Sequence, residues 1–277
     1  MTMGKRILVA VVFVPVLFVI MFILPALALG LTMALIAALA CYELLRAAKI
    51  RDPGLVISSV VSAAIVPMLT WLINLVGVDA QAGYVMSFLL MQVIFVLAIR
   101  AHGTQGELPF QDLCVCLFGG VLIPTFLSAL VELRMMPSGK YWVLLPVIVA
   151  FLTDGGAYFA GIFLGKHRGI TNVSPNKSLE GYLGGVISGP IFCIIYGIIV
   201  HAATGMAVNF WYMILYGLVG SLVTELGDLA FSLIKRQLGV KDYGHLLPGH
   251  GGMLDRFDSM IFAAPLIYIL VQLFPAF

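Results

Sequence analysis

Long apolar runs follow one another through this chain, broken only by short stretches carrying charge, Gly or Pro. About 20 consecutive apolar residues are needed for a helix to cross the roughly 30 Å hydrocarbon layer of a bilayer, and these runs reach that length. Of 277 residues, 62% are hydrophobic and 10% charged, against about 45–50% apolar and about 25% charged in soluble domains. A soluble fold cannot hide so much apolar surface, so the bilayer is the solvent.

The runs place spans near residues 7–24, 27–45, 55–78, 83–99, 113–131, 141–165, 182–203, 208–234 and 259–276. The expected fold is therefore all-α and polytopic, with about nine transmembrane helices. A tight connection from Pro25 to Gly30 joins the first two spans, which also read as one long broken helix. Residues 7–24 follow Lys5 and Arg6 and precede Ala26, Leu27 and Ala28, the outline of a cleaved secretory signal. The apolar run is too long for a typical signal core, and a retained first helix sets the orientation of the rest.

Charge placement tests this layout. With a cytoplasmic N-terminus, Lys5, Arg6, Arg46, Lys49, Arg51, Arg100, Lys166, Arg168, Lys177, Lys235, Arg236, Lys241 and Arg256 all fall on the cytoplasmic side. Of the 15 Lys and Arg, Arg134 and Lys140 alone fall outside, which is a strong positive-inside bias. The long polar connections 166–181 and 235–258 then face the cytoplasm, where nucleotides are found. We expect a single membrane domain over 1–277, with N-terminal spans in 1–140, catalytic spans and loops in 141–277, and no soluble domain. A net charge of +2 without an aromatic-studded basic stretch argues against nucleic acid as a partner. Cys41, Cys114, Cys116 and Cys193 sit in apolar runs without zinc or redox spacing and read as packing residues.

Ionisable groups inside spans are costly and call for a function. Asp154 interrupts the sixth run beside Gly155 and Gly156, which suggest a locally opened helix. Glu225 and Asp228 are three residues apart on the eighth, and Ser232 and Lys235 continue the same face at helical spacing. The densest polar stretch runs from Ser232 through Lys235, Arg236, Lys241, Asp242, Pro248, Gly249, His250, Gly251, Gly252, Asp255, Arg256 and Asp258. Asp255 and Asp258 share a helix face and, with Asp228, offer three hard oxygen ligands suited to Mg²⁺. Carboxylates ringed by cations and approached by glycine backbone are what polyphosphate transfer requires.

The earlier loop adds Lys166, His167, Arg168, Ser174, Pro175, Lys177, Ser178, Glu180 and Gly181 on the same side, with Lys177 a candidate phosphate contact. Gly161, Gly165 and Lys166 fail as a P-loop because the spacing is one residue short and no Ser or Thr follows. Gly161 with Gly165, and Gly185 with Gly189, read instead as places where helices approach closely. Arg46, Lys49, Arg51 and Arg100 set topology and meet lipid headgroups. Glu43, Tyr158 and His201 read as packing or boundary residues, with Tyr158 near enough to Asp154 to line a lipid path.

Taken together these residues resemble the phosphatidate cytidylyltransferases, or CDP-diacylglycerol synthases. The C-terminal signature of that family is matched by Ser232, Lys235, Arg236, Lys241, Asp242, Pro248, His250, Gly251, Gly252, Asp255, Arg256, Phe257 and Asp258, at the expected spacings. Upstream, Asp154, Ala157, Tyr158 and Phe159 are similar to a second family segment. Ser174, Pro175, Lys177, Ser178, Glu180 and Gly181 match a third, with Asn176 where the family usually has Lys. The detailed match covers residues 141–277.

The resemblance implies the reaction of CTP with phosphatidic acid to give CDP-diacylglycerol and pyrophosphate, with Mg²⁺ held at Asp228, Asp255 and Asp258. Expected catalytic residues are Asp228, Lys235, Arg236, Lys241, Asp242, His250, Asp255 and Asp258. Expected substrate contacts are Asp154, Ser174, Lys177, Ser178, Glu180, Lys235, Arg236 and Arg256. CTP, phosphatidic acid and membrane lipids are the expected partners, in a bacterial inner membrane with the site facing the cytoplasm. A second cation and a homodimer are left open. Two other functions compete: a CTP-dependent polyprenol kinase, which would move the γ-phosphoryl group, and an ion-coupled transporter, which needs carboxylates near the midplane and no polar cluster at the end.

Overall fold

The computed structural model describes residues 15–78, 81–104, 106–169, 171–175, 177–245 and 251–277. They form α1 (Ala26–Ala47), α2 (Pro53–Val76), α3 (Ala82–Ala101), α4 (Phe110–Met135), α5 (Gly139–Phe163), α6 (Leu179–Thr204), α7 (Phe210–Gln237) and α8 (Leu254–Leu273). Among the described residues, the 7 helices α1 to α7 are long and apolar enough to cross a membrane. Helix α8 matches the last expected span but starts earlier, at Leu254, and carries Asp255, Arg256 and Asp258 near its start. Residues 7–14 of the first expected span lie outside the described residues, and 15–23 are helical. Its visible end is a π-helical turn, Val19–Ile23. The connection that follows is shorter than expected, because α1 starts at Ala26, directly after Pro25.

The chain divides into two compact units. The first comprises Met1–Pro137 with Leu238–Phe257, the second Ser138–Gln237 with Asp258–Phe277. The segment 238–257, which carries part of the polar signature, thus belongs with the N-terminal helices.

In the first unit α2 packs against α1, α3 and α4. Its start follows from sequence: the Asp52 side chain accepts the Leu55 N–H at 2.8 Å, and Pro53 supplies the preset φ of a first helical residue. A π-turn at Phe118–Leu122 interrupts α4, and there Ser62 Oγ donates to the Gly120 carbonyl at 2.8 Å. At the break before α1, Arg134 donates from Nε to the Met21 carbonyl at 2.9 Å and from Nη2 to that of Leu24 at 3.1 Å. A broken helix leaves carbonyls unsatisfied, and this guanidinium caps two of them.

In the second unit α5, α6 and α7 pack on one another. Their contacts run through small residues, as expected where helices must meet without a hydrophobic drive between them. A Cβ at Gly156 would stand 2.3 Å from Ser188 Oγ, and one at Gly189 would stand 2.5 Å from the Gly217 carbonyl oxygen. Gly185 and Gly189 thus sit at close approaches, as their spacing suggested. Gly155 and Gly156 do not open α5, which stays helical through both; Gly156 instead admits α6. At the far end, Asn209 N–H donates to the Ala276 carbonyl at 2.7 Å and the Tyr216 hydroxyl donates to that of Phe274.

Candidate active site

Lys177 is placed by the short loop between α5 and α6. Gly169 N–H donates to the Lys177 carbonyl at 3.2 Å and Leu179 N–H to that of His167 at 2.9 Å, while Arg168 and Ser178 form an antiparallel bridge. Ser178 then caps α6 by accepting the Gly181 N–H at 3.1 Å. Glu180 fastens the other side of the loop, accepting the Lys166 N–H at 3.1 Å and pairing with His167 Nδ1 at 2.6 Å. With both ends of the loop fixed, Lys177 reaches α7, where Nζ lies 2.6 Å from Glu225 Oε2 and 2.7 Å from Asp228 Oδ2. Burial works against the Lys177 ammonium, but Asp228 and Glu225 outweigh it and hold its pKa above the usual lysine value.

Glu225 and Asp228 occupy one face of α7, as their three-residue spacing requires. Glu225 is 1% exposed, and its second oxygen, Oε1, has no hydrogen-bond partner among the described residues. Gly185 on α6 makes room for it, since a Cβ there would lie 2.9 Å from Oε1. On α8, Asp258 is buried; its Oδ1 accepts the Ser259 N–H at 2.8 Å and its Oδ2 lies 3.9 Å from Lys235 Nζ. Ser259 Oγ donates to Asp154 Oδ2 at 3.4 Å, tying α8 to α5. Asp154 also feels the charges of Asp228, Glu225 and Lys177, and Asp258 those of Asp228 and Lys235.

Four carboxyl groups therefore share this part of the second unit with two ammonium groups. The donor set is hard oxygen, and the Glu225 and Asp228 pair already holds one cation in the form of Lys177. That chemistry fits Mg²⁺, although among the described residues no three His, Cys, Asp or Glu side chains converge as a ready-made metal cage. Carboxylates and ammonium groups interleaved on three helices and the loop before α6 suit binding of a metal-bearing polyphosphate.

Comparison with known proteins decides the family. Residues 4–274 match the Cytidylyltransferase family. The chain belongs to that family. The phosphatidate cytidylyltransferase of Staphylococcus saprophyticus is 36% identical over 182 residues, 66% of this chain and 68% of that protein. The enzymes of the same name from Staphylococcus epidermidis and Staphylococcus aureus are similar at 35% over 182 residues and 36% over 183 residues, with the same coverage. This cytidylyltransferase is accordingly a nucleotidyltransferase enzyme embedded in a membrane.

The part of the cytidylyltransferase signature within 238–257 belongs to the first unit. Lys241, Asp242 and Arg256 are exposed. Asp255 is buried, and its Oδ2 accepts the Tyr243 N–H at 2.8 Å and the Gly252 N–H at 2.9 Å. Pro248, Gly249 and His250 fall outside the described residues, as does Asn176. In the second unit Arg236 is exposed on the last turn of α7, and Ser174 opens the turn leading to Lys177, whose N–H donates to the Ser174 carbonyl at 3.1 Å. Ser178 and Glu180 touch the loop itself and so help to place Lys177. Glu225, an in-span acid on the Asp228 face, and Glu43, which reads as a packing residue, are not among the expected catalytic, substrate or metal residues, yet Glu225 meets Lys177 and Glu43 meets the Met253 and Leu254 N–H groups. The signal was present for both, since each is an acidic residue within an apolar run.

Proposed function

We propose that this cytidylyltransferase uses CTP and phosphatidic acid to make CDP-diacylglycerol and pyrophosphate. An oxygen of the phosphatidate phosphate attacks the α-phosphorus of CTP in line. A new phosphorus–oxygen bond forms, the bond from the α-phosphorus to the bridging oxygen breaks, and that oxygen leaves on pyrophosphate with the bonding electrons. The nucleophile is a phosphate monoester whose second pKa is about 6, so it is already anionic near neutral pH and needs no general base. What remains is positioning and charge neutralisation.

The observation that carries this reading is the Lys177 ammonium held between Glu225 and Asp228, with Lys235 and Asp258 in the same group of helices. Asp228 and Asp258 would hold Mg²⁺, and the family signature adds Asp255 as a third carboxylate. An ion bound there would supply charge neutralisation for the triphosphate and polarise phosphoryl oxygens. Lys177, Lys235, Arg236 and Lys241 meet the phosphates, Arg256 and Asp154 contact substrate, and His250 and Asp242 orient the signature loop.

Phosphatidic acid enters sideways from the inner leaflet, so that its acyl chains never leave lipid. The exposed face of α5 suits that route, since Tyr158 and Phe159 are both exposed and Tyr158 lies one turn beyond Asp154. The excess of basic residues on this side supports a cytoplasmic orientation, and the bacterial relatives favour an inner membrane.

The test is product identity. Purified protein in detergent, given phosphatidic acid, CTP and Mg²⁺, is expected to form CDP-diacylglycerol and pyrophosphate in equal amounts. CDP with a newly phosphorylated lipid would replace this reading with a kinase, and absence of CTP turnover would favour the transporter.

A further inference from the structure

Glu43 lies in α1, far in sequence from the signature, and is 7% exposed in a helix that is otherwise almost wholly apolar. A carboxylate so placed is expensive unless hydrogen bonds compensate it. Its partners are backbone groups of the signature. Oε1 accepts the Met253 N–H at 3.0 Å and Oε2 accepts the Leu254 N–H at 2.8 Å. Leu254 is the first residue of α8, so Glu43 takes N–H groups that a helix start leaves without intrahelical acceptors, at the end where the helix dipole favours negative charge.

Two glycines of the same segment follow from this contact. A Cβ at Gly252 would stand 2.3 Å from Glu43 Oε2, and one at Gly244 would stand 2.3 Å from Oε1. The carboxylate fills the space that side chains at 244 and 252 would need. Asp255 completes the arrangement by accepting the Tyr243 and Gly252 N–H groups. Two carboxylates thus take four backbone N–H groups, at Tyr243 and at Gly252, Met253 and Leu254.

We infer that Glu43 is a positioning residue of the cytidylyltransferase reaction, which fixes residues 252–254 and the start of α8 in the geometry that presents Asp255, Arg256 and Asp258. It does not touch substrate; it acts through the Met253 and Leu254 amides. This rests on the proposed reaction for its kinetic consequence, though not for the contact itself.

Glu43→Gln tests it with the least change in size. An amide offers one acceptor oxygen where the carboxylate offers two, and its NH₂ would oppose one of the two backbone donors. In full-length protein in detergent, kcat is expected to fall about 10- to 100-fold, the scale on which groups that orient ligating residues act, with KM for phosphatidic acid changed less than about twofold. Hydrogen exchange at the Met253 and Leu254 amides should become faster, with the α2 and α3 amides unchanged. Ser62→Ala, which removes the buried bond to Gly120 elsewhere in the same unit, should lower thermal stability and leave kcat unchanged.

If Glu43→Gln does not fold, Gly244→Ala, which keeps the carboxylate but displaces it, must lower kcat in the same way. Wild-type kcat in the variant that folds, or wild-type exchange at the two amides, overturns the proposal. The exchange arm does not depend on turnover, so a protein with another reaction but faster exchange would count against the function and not against the clamp.

Discussion

Asp228→Asn is expected to lower kcat about 1000-fold, equivalent to about 4 kcal/mol of transition-state stabilisation. The substitution keeps shape and removes charge at the residue with the most connections. Asp228 lies 2.7 Å from Lys177 Nζ, shares a helix face with Glu225, and is close enough to Asp154 and Asp258 to raise the local negative potential. Asparagine can still hydrogen-bond to the ammonium, but it is a poor ligand for a hard divalent cation. Raising Mg²⁺ should therefore recover little of the loss. Steady-state assay at saturating CTP decides the matter: retention of more than about a tenth of wild-type kcat would remove Asp228 from the centre of the mechanism.

Lys177→Met carries the second large effect, on stability as well as rate. Removing the ammonium leaves Glu225, 1% exposed, without the cation 2.6 Å away. Breaking a buried pair from one side costs about 3–5 kcal/mol, because an uncompensated charge remains. A clearly lower thermal midpoint is expected, together with a kcat loss of about 100-fold or more. The double variant Lys177→Met with Glu225→Gln separates the two roles. Neutralising Glu225 removes the stranded charge, so the midpoint should recover while activity stays low. Recovery of both would make Lys177 a structural counter-ion only; recovery of neither would mean that the buried pair is not what stabilises this region.

Much of the membrane architecture is legible in the residues because it rests on local rules. Apolar run length places α1 to α7, Asp52 with Pro53 sets the start of α2, and the spacing of Glu225, Asp228, Ser232 and Lys235 assigns one face of α7. Small residues at 185 and 189 announce close helix contact. The rest depends on contacts between segments far apart in the chain. Nothing near Lys177 reveals that its partners are Glu225 and Asp228, and nothing near Glu43 reveals that it meets Met253 and Leu254. The glycines at 155 and 156 illustrate the opposite error: a helix-weakening pair suggests an opened helix, yet packing of Gly156 against Ser188 keeps α5 continuous. Glu43 reads as a packing residue for the same reason, since only the folded chain shows which N–H groups it meets.

Transfer of the α-phosphorus is the central claim, and isotopic labelling tests it most directly. CTP labelled with ³²P at the α position should deliver its label to the lipid product, and CTP labelled at the γ position should deliver none, its label leaving in pyrophosphate. Label from the γ position in the lipid would show that the terminal phosphoryl group is transferred, and would contradict the account.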